Sequence, residues 1–258
     1  MQKYNLKGEN LGDFFINIPN KAVFIKLVKK TIKGKHKKPK LFFYLNTADY
    51  YQKRKDHKFI DNFQKAEYCY LNSFYISLIL RITLNKHFDK LNAEDFIYEV
   101  FSLCQNNKQK VYLLGSDKKS NYLAIKKIKV EYPELTISGD DGYSQKNNLM
   151  LKAINLFSPD ILIVGLGLGY QENWLANNKD KLKVKMAITV GNFIDVLGTK
   201  KSLPPHLFKQ IQIEWLYRLI KEPAKMFGRY FFGSREVITL VIKRLFFKFI
   251  RFLQQNSP

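Results

Sequence analysis

A chain of 258 residues with 46% hydrophobic content is long and apolar enough to bury a core, which argues against a disordered protein. Its 44 Lys and Arg against 22 Asp and Glu give a formal net charge of +22, so nucleic acid, anionic lipid and diphosphates are all attracted and charge alone selects none of them. The two cysteines, Cys69 and Cys104, both stand in apolar stretches, which argues against a disulfide scaffold and fits a reducing compartment.

The N-terminal MQKYNLKGENLGDFF lacks the charged-then-apolar pattern of a signal peptide, and no apolar run reaches the roughly 18 residues of a spanning helix. Neither export nor membrane crossing is therefore expected. From Asn20, a cap, the spacing predicts an amphipathic helix that runs out into the basic stretch KGKHKKPK, read as a solvated loop. KLFFYLN, AEYCYLN, KVYLLGS, LTISG, DILIVGLG and VKMAITVGN then follow as short apolar strands separated by amphipathic helices, the pattern of βαβ units. The expected fold is α/β: a Rossmann-like, mainly parallel sheet flanked by helices over residues 1–198, with a C-terminal helical appendage over 199–258.

The strand from Asp160 ends in closely spaced glycines, Gly165, Gly167 and Gly169, before a helix-like stretch. Glycines there let a phosphate approach backbone N–H groups at a helix start, although tight strand-to-helix packing without a ligand explains them equally well. Asp140 and Asp141 precede Gly142 and Tyr143 at another strand end, where either ligand-facing carboxylates or a simple Asp-Gly turn fits. The four histidines, His36, His57, His87 and His206, have no ligand spacing and no Asp-x-Asp occurs, so neither a metal site nor a cofactor is expected. A bound diphosphate would fall to Lys, Arg and backbone N–H groups.

After the turn-rich KKSLPPHLF come two helical stretches, IQIEWLYRLIKEP and SREVITLVIKRLFFKFIRFLQQ. In the second, Lys243, Arg244, Lys248 and Arg251 project within one arc of about 140°, at ~100° per residue, opposite Ile242, Leu245, Phe246, Phe249, Ile250, Phe252 and Leu253. That pattern predicts an interfacial helix on an anionic membrane surface; docking of the apolar side on the protein's own core is the alternative.

The ordered series VYLLGS, EYPELTISGDDGY, SPDILIVGLGLGYQENW, TVGNFID and EWLYRLIKEP with GRY resembles the WecG/TagA/CpsF glycosyltransferases, glycosyltransferase family 26, over nearly the whole chain. The resemblance implies transfer of an N-acetylhexosamine-type sugar from a UDP donor to a polyprenyl-diphosphate-linked sugar, metal-independent and inverting, in surface polysaccharide synthesis. It also implies a cytoplasmic protein peripheral on the inner face of the cell membrane. Thr47 then looks like a pocket residue. Gln171 and Glu172 look like donor contacts, together with Gly115, Asp141, Gly142, Tyr143, Gly165, Gly167 and Asp195. Glu214, Trp215, Arg218, Glu222 and Pro223 match the appendage motif, in which Arg218, Lys225 and Arg229 would close over the diphosphate.

The sequence departs from the family pattern at several of these places. Asn72 stands where the family has its proposed base Asp, Lys90 stands in place of an arginine near the diphosphate, Leu203 and Pro204 replace Arg-Ala, and Ala224 and Gly228 replace two arginines. An amide takes no proton, which costs ~10²–10⁴-fold where general-base assistance is required, and Lys90 keeps charge without bidentate geometry. Two readings follow: a transferase assisted by another carboxylate, with Asp61, Asp141 and Asp195 as candidates, or a catalytically impaired membrane-associated binding or scaffold protein retaining the fold. A nucleic-acid-binding protein is a third, suggested by the charge and by aromatics beside the basic run, yet no recognition motif supports specific nucleic-acid binding. Members of the family form oligomers, so a homo-oligomer is compatible with the sequence, which sets no stoichiometry.

Overall fold

The structure is a computed structural model that describes residues 8–142, 147–199, 208 and 214–255. In chain order, the hairpin strands β1 (Glu9–Leu11) and β2 (Phe14–Ile16) lead to α1 (Lys21–Lys33), β3 (Lys40–Leu45), α2 (Thr47–Lys55), α3 (Phe59–Phe63), β4 (Tyr68–Leu71), α4 (Phe74–Leu84) and α5 (Ala93–Asn106). There follow β5 (Val111–Gly115), α6 (Lys118–Glu131), β6 (Ile137–Asp140), α7 (Asn147–Phe157), β7 (Ile161–Gly165), α8 (Tyr170–Asn178), β8 (Met186–Thr189), α9 (Phe193–Thr199), α10 (Glu214–Lys221) and the long tail helix α11 (Pro223–Gln255).

β3 to β8 form one sheet in the order β4-β3-β8-β7-β5-β6, and every neighbouring pair is parallel. All six strands anticipated from the apolar runs are present. Alternation decides which face each side chain covers: in β3, Phe42 and Tyr44 pack with Phe24, Phe96 and Phe101 on the α1/α5 face, while Leu41, Phe43 and Leu45 pack with Tyr50, Phe59, Phe63 and Trp174 on the α2/α3/α8 face. A parallel sheet covered on both sides must be apolar on both, which is why these strands read as continuous apolar runs. Asn20 caps α1 as predicted, its Oδ1 accepting the Val23 N–H at 3.0 Å. Lys35, His36, Lys37 and Lys38 of the basic run are exposed, in a loop.

The helix after β5 leads outward to β6, whereas the helix after β7 leads the other way to β8. The chain thus diverges between the carboxyl ends of β5 and β7, the place where doubly wound sheets leave a crevice for ligands.

The tail helix lies on the same end of the molecule. It crosses α2 at Gly233, where an added Cβ would stand 2.2 Å from the Thr47 carbonyl oxygen, and at Gly228, where one would stand 2.9 Å from the Tyr51 hydroxyl. Met226 and Val237 are buried, Leu240 packs on Gly12, and the Arg244 guanidinium donates to the Asn10 carbonyl. The opposite side of the helix carries Phe227, Phe231, Ile238, Ile242, Leu245, Phe246 and Phe249, all exposed. Of the predicted cationic arc, Arg244 therefore faces the protein, and the predicted apolar side points outward. Lys248, Arg251, Phe252 and Leu253 have side chains outside the described residues. Among the described residues no helix is long and apolar enough to cross a membrane.

The close crossing makes Gly233→Val a sharp probe. No side chain fits against the Thr47 backbone, so this variant is expected to be overpacked by ~1–3 kcal/mol and to lift the tail. Hydrogen exchange over residues 226–240 should accelerate while β5 and β7 keep their protection. Unchanged exchange in the tail would mean that it does not seat on α2 through Gly233.

Candidate active site

Three groups of residues line the carboxyl edge of the sheet. At the β3/β4 side, Asn46 starts α2 by accepting the Ala48 N–H on Oδ1 at 2.6 Å and donating its own N–H to Asp49 Oδ2 at 2.7 Å. This reciprocal cap sets Thr47, which is buried, at the first turn of α2 beneath the tail helix. At the end of β4 the Asn72 N–H donates to Leu45 O at 2.9 Å, and its Nδ2 donates to Leu91 O at 3.0 Å. The Leu91 N–H in turn donates to Leu71 O at 2.7 Å, so Lys90, next in chain to Leu91, is drawn to the same strand end. Asn92 N–H donates to Asp95 Oδ2 at 2.6 Å, and Asn92 Oδ1 lies 3.5 Å from Asn72 Nδ2. Asp95 thereby stands one residue-to-residue link from the position expected to carry the base. Partial burial pushes its carboxyl up, with Glu94 adding, against the Asn92 N–H and the charges of Lys90 and Lys21.

A row of glycines forms the centre. A Cβ on Gly115 would stand 2.4 Å from Gly165 O, and one on Gly165 would stand 2.7 Å from Gly191 O. The ends of β5, β7 and β8 therefore close up backbone to backbone. Gly167, at φ +91°, has no heavy atom of the described residues within 4 Å of where its Cβ would be, whereas Gly165 and Gly169 are closely covered.

At the β5/β6 side, Ser116 sits at φ +64°, uncommon for a residue with a Cβ. Its hydroxyl donates to Asp195 Oδ1 at 2.5 Å and its carbonyl accepts the Gly142 N–H at 3.2 Å. Asn121, buried, donates Nδ2 to the carbonyls of Gly115 and Asp140, each at 2.9 Å, and so ties the two strand ends together. Asp141 is buried beside them. Tyr143 lies outside the described residues, as do the side chains of Arg218 and Lys225.

Beneath the glycine row lies a pair of wholly buried acids. Glu172 Oε2 accepts the Gly169 N–H at 2.8 Å, and its Oε1 accepts from Gln171 Nε2 at 2.6 Å. Gln171 also donates to the Tyr44 hydroxyl at 3.1 Å and accepts the Gly191 N–H at 3.3 Å. Burial pushes the Glu172 carboxyl up to about 7, against the donors of Gln171 and Gly169. Burial and the neighbouring Glu172 charge push Asp49 well above the ordinary carboxylate range, against the Asn46 N–H and the charge of Arg229 on the tail. Asp49 Oδ1 has no hydrogen-bond partner among the described residues, as fits a carboxyl that keeps its proton.

Gln171 and Glu172 were expected at the ligand; both are fully buried, and their polar atoms hold the loop from below. Gly169 N–H is taken by Glu172, which leaves the Gly165 to Gly169 loop fewer donors than its glycines suggest. Among the alternative carboxylates, Asp141 and Asp195 belong to the β5/β6 side, and β5 is four strand spacings, about 19 Å, from β4. Asp61 is exposed on α3, a helix that follows the far end of α2. None of the three is a neighbour of Asn72. Asp95, Asp49, Ser116 and Asn121 were missed, though Asn46-x-x-Asp49 and Asn92-x-x-Asp95 have the spacing of helix-start caps.

Six parallel strands with glycine-rich and acid-bearing turns gathered at their carboxyl ends define a doubly wound α/β protein, a class whose ligands generally bind outside that edge. The chain belongs to the WecG/TagA/CpsF glycosyl transferase family, whose family model matches residues 11–250. An N-acetylglucosaminyldiphosphoundecaprenol N-acetyl-beta-D-mannosaminyltransferase of Bacillus subtilis (strain 168) is 27% identical over 170 residues, 66% of this chain and 66% of the relative. Proteins of the same description from Staphylococcus aureus are 30% identical over 123 residues in strain MRSA252, 47% of this chain and 48% of the relative, and 30% over 132 residues in strain MW2, 51% and 52%. The matched stretches thus span about two thirds of the Bacillus protein and about half of the staphylococcal ones.

Proposed function

We propose that this protein transfers an N-acetylhexosamine, of the N-acetylmannosamine kind named for its relatives, from a UDP donor to a GlcNAc-diphosphate-polyprenol at the inner membrane surface. The observation that carries this reading is the tail helix: it seats on Thr47 at the ligand edge while its aromatic side faces outward, so a lipid-borne acceptor at a membrane surface and a soluble donor meet at one place.

In this reading the donor lies along the strand ends, with its nucleotide toward Ser116, Asp141, Gly142 and Asp195 and its sugar toward Thr47 and Asn72. Arg229, Lys90, Arg218 and Lys225 supply the positive charge that steadies the departing UDP, a contribution that needs no base at position 72. An acceptor hydroxyl attacks the anomeric carbon from the face opposite UDP, inverting it without a metal. Its proton goes to Asp95, the carboxylate tied through Asn92 to Asn72.

The binding-only reading remains the rival because Asn72 cannot take a proton. Full-length protein on anionic vesicles carrying GlcNAc-diphosphate-polyprenol, assayed for UDP release across a panel of UDP-sugars with and without a metal chelator, separates the two. Release that survives chelation supports a metal-independent transferase. Donor binding without release under every condition would leave only the binding protein.

A further inference from the structure

Away from the ligand edge, the junction of α2 with the tail helix holds an open pocket of about 450 Å³ whose lining is basic: Lys53, Arg54, Arg235 and Lys243 face one carboxylate, Glu236, with Thr239 between them. The two α2 cations are already engaged. Lys53 Nζ is 2.6 Å from Glu236 and 3.2 Å from Asp13, and Arg54 Nε is 3.9 Å from Glu236 while its guanidinium lies over the Phe232 ring. Arg235 and Lys243 are exposed and make no ion pair among the described residues, so their charge is left for something outside the chain.

Their place on the helix says what that is. Arg235, Thr239 and Lys243 follow at i, i+4 and i+8 and form one row. Taking ~100° per residue, this row falls between the protein-facing side, marked by Gly233, Val237 and Arg244, and the outward arc of Phe231, Ile238, Ile242 and Phe249. A helix whose apolar arc sinks into a bilayer surface carries its flanks at the depth of the lipid phosphates. The pocket opens on that flank.

We propose that this pocket is a binding site for the phosphate headgroup of one anionic glycerophospholipid, gripped by Arg235 and Lys243 while its acyl chains run beside Ile238 and Ile242. The proposal rests on the membrane reading of the tail and adds a discrete, saturable site to it. It is separate from the ligand edge, because Thr47 and Arg54 are two turns apart along α2. Lys53, held by Glu236 and Asp13, is a fixed wall of the site, and Arg54 supplies a third cation at its mouth.

The test titrates full-length protein with a soluble short-chain phosphatidylglycerol by calorimetry, with vesicle co-sedimentation in parallel. Saturable one-site binding is expected, weakened at least about tenfold in Arg235→Gln/Lys243→Gln, where two charge-assisted contacts are lost. Lys126→Gln/Lys129→Gln, which removes the same charge from exposed positions on α6, should bind as the wild type does. Inorganic phosphate at equal concentration should displace little of the lipid. Equal weakening in both double variants would overturn the pocket in favour of diffuse charge attraction, and inorganic phosphate binding as tightly as the lipid would overturn the lipid assignment. Vesicle binding without a saturable headgroup site sinks this proposal alone, whereas headgroup binding without vesicle binding counts against the membrane reading.

Discussion

Asp95→Asn is expected to slow sugar transfer by roughly 10²–10⁴-fold, the range for loss of a general base. The substitution keeps an oxygen that accepts the Asn92 N–H, so the start of α5 is preserved and donor affinity stays in place. The wild-type rate should rise with pH through the raised pKa of Asp95 and then level off, and the variant should lack that rise. A residue that merely caps α5 gives a different result: Asp95→Asn, which keeps the cap, would leave both the rate and the pH profile unaltered. Asn72→Asp tests the same idea from the other side. Asn72 Nδ2 donates to Leu91 O, and a carboxylate there would set two acceptors against each other. Hence Asn72→Asp is expected to bring no acceleration, and a faster Asn72→Asp enzyme would return the base to position 72.

The second large effect concerns the buried acids. Glu172 holds its proton up to about 7 when folded, against 4.5 for a free glutamate. Between those values the folded chain binds a proton that the unfolded chain has released, so the contribution is whole below about 4.5 and is lost as pH rises through about 7. A shift of this size corresponds to about 3 kcal/mol. Asp49, also raised, acts with the same sign. Glu172→Gln removes the titration: urea unfolding across this window should show the wild type losing about 3 kcal/mol relative to the variant, even though the variant sacrifices the bond from Gln171 at every pH. Parallel stability curves would mean that Glu172 is ionised throughout.

Much of this architecture is readable from residue pattern because it rests on local rules. Apolar runs such as DILIVGLG become strands covered on both faces, Asn20 caps α1, and the glycines at positions 115 and 165 mark the strand ends where backbone meets backbone. The outward face of the tail is not readable in the same way. The wheel of residues 242–253 separates cations from aromatics, but only the seating of Gly233 on Thr47 and of Arg244 on Asn10 decides which side meets the protein. The burial of Glu172 and Gln171 is not readable for a related reason: polar residues after a glycine loop read as ligand contacts, and the bonds that Gln171 makes to Tyr44 and Gly191 come from residues far away in sequence. Asp95 is hidden by distance along the chain, since it stands 23 positions after Asn72 and only the loop through Leu91 and Asn92 joins them.

Sugar transfer onto a lipid-linked acceptor changes the mass of the lipid, so mass spectrometry of the lipid product reads it without an indirect assay. Full-length protein on anionic vesicles with GlcNAc-diphosphate-polyprenol and UDP-N-acetylmannosamine should add one N-acetylhexosamine to the acceptor, in a β linkage and in the presence of chelator. An acceptor that keeps its mass with every UDP-sugar offered, under conditions where the protein binds both donor and vesicle, would rule out transfer and leave a binding protein built on a transferase fold.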